Sequence, residues 1–150
     1  MNIALGCDHI GLSLKQVIIE HLIIRGNTVT FYGTESDART DYPLYARAVA
    51  RAVAAGEAGC GILLCGSGIG IGIAANKVNG IRAVVCSEPY SARLSREHNN
   101  TNVLALGTRV TGSGLAIMIV DAWLDAQFAG GRHQQRLEMI ADIEKEQKND

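Results

Sequence analysis

The sequence has next to no net charge: 14 Lys and Arg stand against 15 Asp and Glu, a formal charge of −1 at pH 7. It lacks the basic face by which a protein holds nucleic acid or an acidic membrane, and neither partner is expected. It also lacks a long apolar run, and its first residues, Met1-Asn2-Ile3-Ala4, carry no basic segment. No signal peptide and no transmembrane helix are therefore expected, and the cytoplasm is the expected compartment. Aromatic residues are scarce, at 5% against a hydrophobic fraction of 47%, so most of the apolar content is Ala, Val, Ile and Leu. That is the usual filling of a parallel sheet covered by helices. The cysteines are Cys7, Cys60, Cys65 and Cys86, and no two form a C-x-x-C pair. This argues against a structural zinc site. In a reducing cytoplasm all four are expected as free thiols, with Cys60 and Cys86 acting as small buried hydrophobes. No internal repeat, low-complexity tract or linker divides the chain, and 150 residues suit one domain, 1–150, with a substantial core.

What is present is an alternation of short apolar runs and amphipathic stretches. Strands are expected at Ile3–Cys7, Thr28–Tyr32, Gly61–Cys65, Arg82–Cys86 and Val103–Leu106, each apolar enough to be buried on both faces. Between them, Leu14, Val17, Ile18 and Leu22 share one helical face, as do Tyr45, Val49, Ala52 and Val53, then Leu115, Ile119, Ala122 and Trp123. Gly26 and Gly56 stand where helices should stop. This pattern predicts an α/β fold, a three-layer, doubly wound (Rossmann-like) parallel five-stranded sheet. Gly130-Gly131 is expected to break the fifth helix, with an appended C-terminal helix following from His133. The charged tail from Glu144 to Asp150 is expected to fray, and such an appended helix often packs on a second subunit.

In open α/β sheets, ligands bind beyond the carboxyl ends of the strands. The first strand ends at Cys7-Asp8-His9, the third at Cys65-Gly66-Ser67-Gly68-Ile69-Gly70 and the fourth at Ser87-Glu88-Pro89. If these strand ends adjoin, Asp8, His9, Cys65 and Ser67 share one cleft. The glycine segment leaves a strand and enters a helix around Ile73–Lys77, and it fits neither G-x-x-x-x-G-K-[ST] nor G-x-G-x-x-G. Its backbone N–H groups could hold an oxyanion such as an enediolate, or the glycines could simply make a tight turn. A thiol facing a helix N-terminus, as Cys65 would, is one whose thiolate is favoured as base or nucleophile, although a cysteine there can equally be only buried. Asp8 reads as an N-cap or as a proton shuttle between hydroxyls, and His9 as a ligand for phosphate or ring oxygen.

Two polar clusters lie outside these strand ends. Arg96-Glu97-His98-Asn99-Asn100-Thr101-Asn102 lies between helix and strand, and Arg132-His133-Gln134-Gln135-Arg136 opens the last helix. Arg132 and Arg136, four residues apart, share a helical face that suits a phosphate or simply faces solvent. Arg109, just after the fifth strand, is a further candidate anion ligand.

Taken together, Gly6-Cys7-Asp8-His9, Arg39-Thr40-Asp41-Tyr42-Pro43, Gly61-Ile62-Leu63-Leu64-Cys65-Gly66-Ser67-Gly68, Asn76-Lys77, Gly80-Ile81-Arg82-Ala83, His98-Asn99, Asn102-Val103-Leu104 and Gly131-Arg132-His133-Gln134-Gln135-Arg136 resemble the ribose-5-phosphate isomerase B family. The resemblance runs in order over nearly the whole chain. That family also contains galactose-6-phosphate isomerase subunits and members acting on allose 6-phosphate. The resemblance implies a sugar-phosphate substrate, no metal and no cofactor, and a homodimer or tetramer with active sites shared between subunits. By analogy Cys65 is the base that moves the C2 proton. A second branch of the family uses a glutamate a few residues later, where this chain has Gly68, Ile69, Gly70 and Ile71. Gly66, Ser67, Gly68, Ile69 and Gly70 would hold the enediolate oxygens; Ser67 stands where close relatives often have Thr, which keeps the hydroxyl. Asp8 and Tyr42 would contact substrate hydroxyls, and His98, beside Asn99, would assist ring opening. His9, Arg109, Arg132 and Arg136 would bind phosphate and nearby oxygens. The alternatives are the same chemistry on a six-carbon phosphosugar, or a phosphate-binding module in which Cys65 senses redox state.

Overall fold

The computed structural model describes residues 1–146; residues 147–150, part of the tail expected to fray, lie outside the described residues. Strand and helix alternate: β1 Asn2–Cys7, α1 Leu12–Ile24, β2 Thr28–Phe31, α2 Tyr42–Ala54, β3 Cys60–Cys65, α3 Ile69–Ala75, β4 Ala83–Val85, α4 Pro89–Asn99, β5 Val103–Gly107, α5 Ser113–Asp125 and α6 Arg132–Glu146. The expected glycine stops terminate α1 and α2 in the same way. Gly26 and Gly56 take φ of +79° and +76°, which costs a glycine little. The N–H of Asn27 returns to the carbonyl of Leu22, and that of Glu57 to Ala52, closing each helix end.

The strands form one parallel sheet in the order β2-β1-β3-β5-β4. Helices cover both faces, as doubly wound connections require. One core joins the sheet to α1 and α5 through Leu14, Ile18, Leu22, Ile119, Val120 and Trp123. The other joins it to α2 and α3 through Ala46, Val49, Ala50, Ile71 and Ala75. Among the described residues no helix is long and apolar enough to cross a membrane.

The structure corrects several sequence expectations. Only β1, β3 and β5 lie deep in the sheet; β2 and β4 are edge strands with partly exposed side chains. The face of α5 is rotated by one residue from the one expected: Ala116, Ile119, Val120 and Trp123 are buried, whereas Leu115 is 37% exposed. α3 begins at Ile69, four residues before Ile73, so Ile69 and Gly70 lie in its first turn. α5 ends at Asp125, well before Gly130-Gly131. The N–H of Ala129 donates to the carbonyl of Glu97, a tertiary bond that draws this segment away from helical geometry. The glycine pair, with φ of +65° and +58°, instead turns the chain into α6. That helix begins at Arg132, one residue earlier than expected. It packs on its own α4 through buried His133 and Leu137 while leaving Met139, Ile140 and Ile143 exposed.

Candidate active site

β1 and β3 are neighbours whose following helices cross to opposite faces of the sheet, so a crevice opens between their carboxyl ends. A cavity of about 550 Å³ occupies it, lined by Asp8, Ile10, Tyr42, Cys65, Gly66, Ser67, Ile69, Gly70, Arg109 and Val110. β4 lies at the sheet edge, with β5 between it and β3. The fourth strand end is therefore no part of this crevice, and Glu88 caps α4 by accepting the Ser91 N–H.

Local chemistry explains the shape of the loop after β3. The chain must reverse within three residues, and Gly68 does this at φ +78°, in the left-handed region. A Cβ at Gly68 would also lie 2.9 Å from the carbonyl carbon of Leu106, so the loop can press on β5 only if residue 68 has no side chain. The Gly68 N–H donates to Cys65 Sγ at 3.1 Å, which holds the sulfur at the start of the turn. The Ile69 N–H donates to Ser67 Oγ at 3.2 Å. No turn or cap hydrogen bond among the described residues engages the N–H groups of Gly66, Ser67 or Gly70. Gly70 is the second position that excludes a side chain: a Cβ there would meet the Tyr42 ring at 2.5 Å. Tyr42, the first residue of α2, thus lies flush against the loop.

Asp8 lines the same cavity as the thiol. Its Oδ1 accepts the N–H groups of Ile10 and Gly11, both at 3.0 Å, so it caps the β1–α1 turn and also lines the cavity. The true N-cap position of α1 is Gly11. His9 does not line the cavity wall; its Nδ1 accepts the Thr40 N–H at 3.2 Å, and Thr40 Oγ1 lies 2.8 Å from the Tyr45 hydroxyl. A neutral His9 so held carries its proton on Nε2. Arg109 is positioned by the bond from its N–H to the carbonyl of Gly66, and its side chain reaches over that glycine. Burial pushes the thiols of Cys7, Cys60 and Cys86 up to about 11, so these three stay protonated near neutral pH. Among the described residues no group of three His, Cys, Asp or Glu could hold a metal ion.

The remaining residues expected at the site lie elsewhere within the chain. α4 runs back from the carboxyl edge, so His98 and Asn99 sit at the amino end of β5. Arg132, the first residue of α6, and Arg136 join them there, because the His98 and His133 rings stack with centroids 4.3 Å apart. The five residues of β5 separate the two groups, on the order of 15 Å along the strand. One chain therefore holds two clusters: Asp8, Tyr42, Cys65–Gly70 and Arg109 at the carboxyl edge, and His98, Asn99, Arg132 and Arg136 at the amino edge. Sequence reasoning assigned no role to Ile10, Val110, Thr40 or His133. The last two were visible only as members of longer motifs, and the first two only as neighbours of Asp8-His9 and Arg109.

Residues 3–140 match the family described as Ribose/Galactose Isomerase. Ribose-5-phosphate isomerase B of Escherichia coli (strain K12) is 66% identical over 143 residues, covering 95% of this chain and 96% of its own. The solved structure of Clostridium thermocellum ribose-5-phosphate isomerase B superposes with a TM-score of 0.96 at 53% identity, covering 97% of this chain and 99% of the other. Ribose-5-phosphate isomerase B from Mycoplasma genitalium, solved with bound ribulose-5-phosphate, gives a TM-score of 0.92 at 44% identity over 97% of each chain.

Proposed function

This chain belongs to the ribose/galactose isomerase family, and we propose that it interconverts ribose 5-phosphate and ribulose 5-phosphate through a cis-enediolate, with Cys65 as the base. The observation that carries the mechanism is a cysteine sulfur set at the mouth of a glycine loop, inside a cavity of about 550 Å³ that also holds a carboxylate, a phenol and a guanidinium. After the furanose opens, Cys65 removes the C2 proton. The electron pair moves into the C1–C2 bond and the charge settles on O1, where the N–H groups of Gly66, Ser67 and Gly70 and the Ser67 hydroxyl hold it. The proton returns at C1, while Asp8 relays the hydroxyl proton from O2 to O1. Tyr42 orients the sugar hydroxyls, and His9 and Arg109 bind phosphate and nearby oxygens. The reaction uses no metal or cofactor, and its place is the cytoplasm, where free thiols stay reduced. Assay of the purified chain on ribose 5-phosphate in deuterated water tests this reading. Ribulose 5-phosphate carrying solvent deuterium at C1 is the expected product. Absence of turnover on ribose 5-phosphate, with turnover on a six-carbon phosphosugar, would replace the substrate.

The amino-edge cluster enters this mechanism through a homodimer whose two active sites each draw on both subunits. His98, Asn99, Arg132 and Arg136 of one copy would face Cys65 of the other. The separation of the two clusters within one chain supports this arrangement, as does the exposed apolar surface of α6. The double substitution Arg132→Ala, Arg136→Ala is expected to weaken phosphosugar binding about ten- to more than a hundredfold, since a charge-assisted hydrogen bond contributes roughly 1.5–3 kcal/mol. Mixing that variant with Cys65→Ala subunits should then restore about a quarter of wild-type activity, because half of the random dimers carry one intact site of two. Verified mixed dimers without recovery would exclude shared sites.

A further inference from the structure

We propose that His133 is a positioning residue for His98: its buried ring is the platform that holds the His98 imidazole in place. The inference rests on the reading that His98 serves ring opening. The geometry is that of a built contact. The rings lie 4.3 Å apart between centroids and only 9° from parallel. His133 is buried at 9% exposure, whereas His98 is partly exposed. Two fastenings set the approach of the helices. The Ala129 N–H donates to the carbonyl of Glu97, one residue before His98, and the His133 N–H donates to the carbonyl of Gly130. Gly130 and Gly131, at positive φ, make the bend that swings the first turn of α6 onto the last turn of α4.

Two parallel imidazoles at this separation cannot both be charged cheaply, since like charges at close range disfavour the second protonation. The surroundings decide which ring yields. From α4, His98 faces His133, and the neighbouring carboxylate, Glu97, pairs with Arg93 at 3.8 Å. From α6 itself come the guanidiniums of Arg132 and Arg136. Burial first, then His98, Arg132 and Arg136, hold the His133 imidazole below the usual histidine range. His133 is thus the member of the pair that resists protonation, and its ring, the more buried of the two, is the fixed one.

The sequence has 4 histidines, so their imidazole C–H resonances can be followed one by one by NMR and assigned by substitution. His133 is expected to titrate below the usual histidine range, and His98→Phe should move that titration upward. A His133 titration in the ordinary range, or one that His98→Phe leaves unmoved, would overturn the platform, whatever the kinetics show. In activity, His133→Ala is expected to lower kcat for ribose 5-phosphate on the order of ten- to a hundredfold, as small misplacements of reacting groups do. KM should stay near wild type and the ribulose 5-phosphate direction should suffer less. His133→Phe keeps a flat platform without a titrating nitrogen and should recover most of the rate. An unchanged kcat in the alanine variant, equal losses in both directions with a lowered Tm, or no recovery with phenylalanine would each refute the positioning role. A coupled pair of titrations beside a fully active His98→Asn would instead remove the ring-opening reading and keep the contact.

Discussion

Replacing Cys65 by alanine is expected to lower kcat by ~10²–10⁴-fold, the usual cost of losing one positioned base, while the variant still binds phosphosugar. Of the groups that would bind the sugar and its phosphate, Asp8, Tyr42, Arg109 and the loop N–H groups, only the Gly68 N–H has the sulfur as a partner. Asp8 is held by the N–H groups of Ile10 and Gly11, Arg109 by its backbone bond to Gly66, and Gly68 by its own left-handed backbone. The loss should therefore fall on kcat and leave inhibitor affinity intact. Alkylation gives a second measure. All four thiols are free, but those of Cys7, Cys60 and Cys86 are pushed up to about 11 by burial, and none of the three lines the cavity. Iodoacetamide near neutral pH should modify Cys65 first, abolish turnover in step with that modification, and be blocked by bound phosphosugar. Near-normal turnover in the alanine variant would remove Cys65 as the base.

His98→Asn should produce a loss that depends on direction. Ribose 5-phosphate is mostly a closed furanose, whereas ribulose 5-phosphate cannot close a five-membered ring through its free hydroxyls. A histidine that passes a proton between ring oxygen and anomeric hydroxyl is needed for the first and can be bypassed for the second, because the open aldehyde can leave and close in solution. Turnover of ribose 5-phosphate should fall on the order of 10²-fold or more, and turnover of ribulose 5-phosphate by much less. The Haldane relation holds, since the variant acts on the linear aldose while the assay counts all aldose. A purely structural His98 would act by securing the end of α4. That task already belongs to Arg82, whose guanidinium donates to the carbonyls of Asn99 and Asn100. Initial rates in both directions at saturating substrate, with Tm measured alongside, separate the two roles: equal losses with a lowered Tm would leave His98 a structural residue.

The features legible in the sequence were those set by local chemistry. Strand–helix alternation follows from side-chain periodicity, and the stops at Gly26 and Gly56 follow from the one residue type that accepts left-handed backbone at little cost. The turn after Cys65 was legible for the same reason, since closely spaced glycines at a strand end admit a sharp reversal and close backbone approach. Helix boundaries were less legible. α5 stops short of its glycines, where the Ala129 N–H bonds to Glu97 rather than within the helix, and α3 starts at Ile69, directly after the left-handed Gly68.

Which strand ends adjoin was not a local matter. Parallel pairing sets residues far apart in the chain side by side, Cys7 with Leu64 and Cys65 with Gly107, and this register brings Asp8 and Arg109 to the cavity of the thiol while keeping Glu88 away. The sequence alone determined that the chain is a helix-covered parallel sheet with a cysteine at the head of a glycine loop, because both follow from interactions within a few residues. Only the tertiary structure decided that His98 and Arg132 stand at the opposite edge from Cys65, and that His133 lies flat on His98. The direction in which α4 recrosses the sheet and the angle at which α6 meets it depend on packing between elements, and packing has no period that a sequence displays.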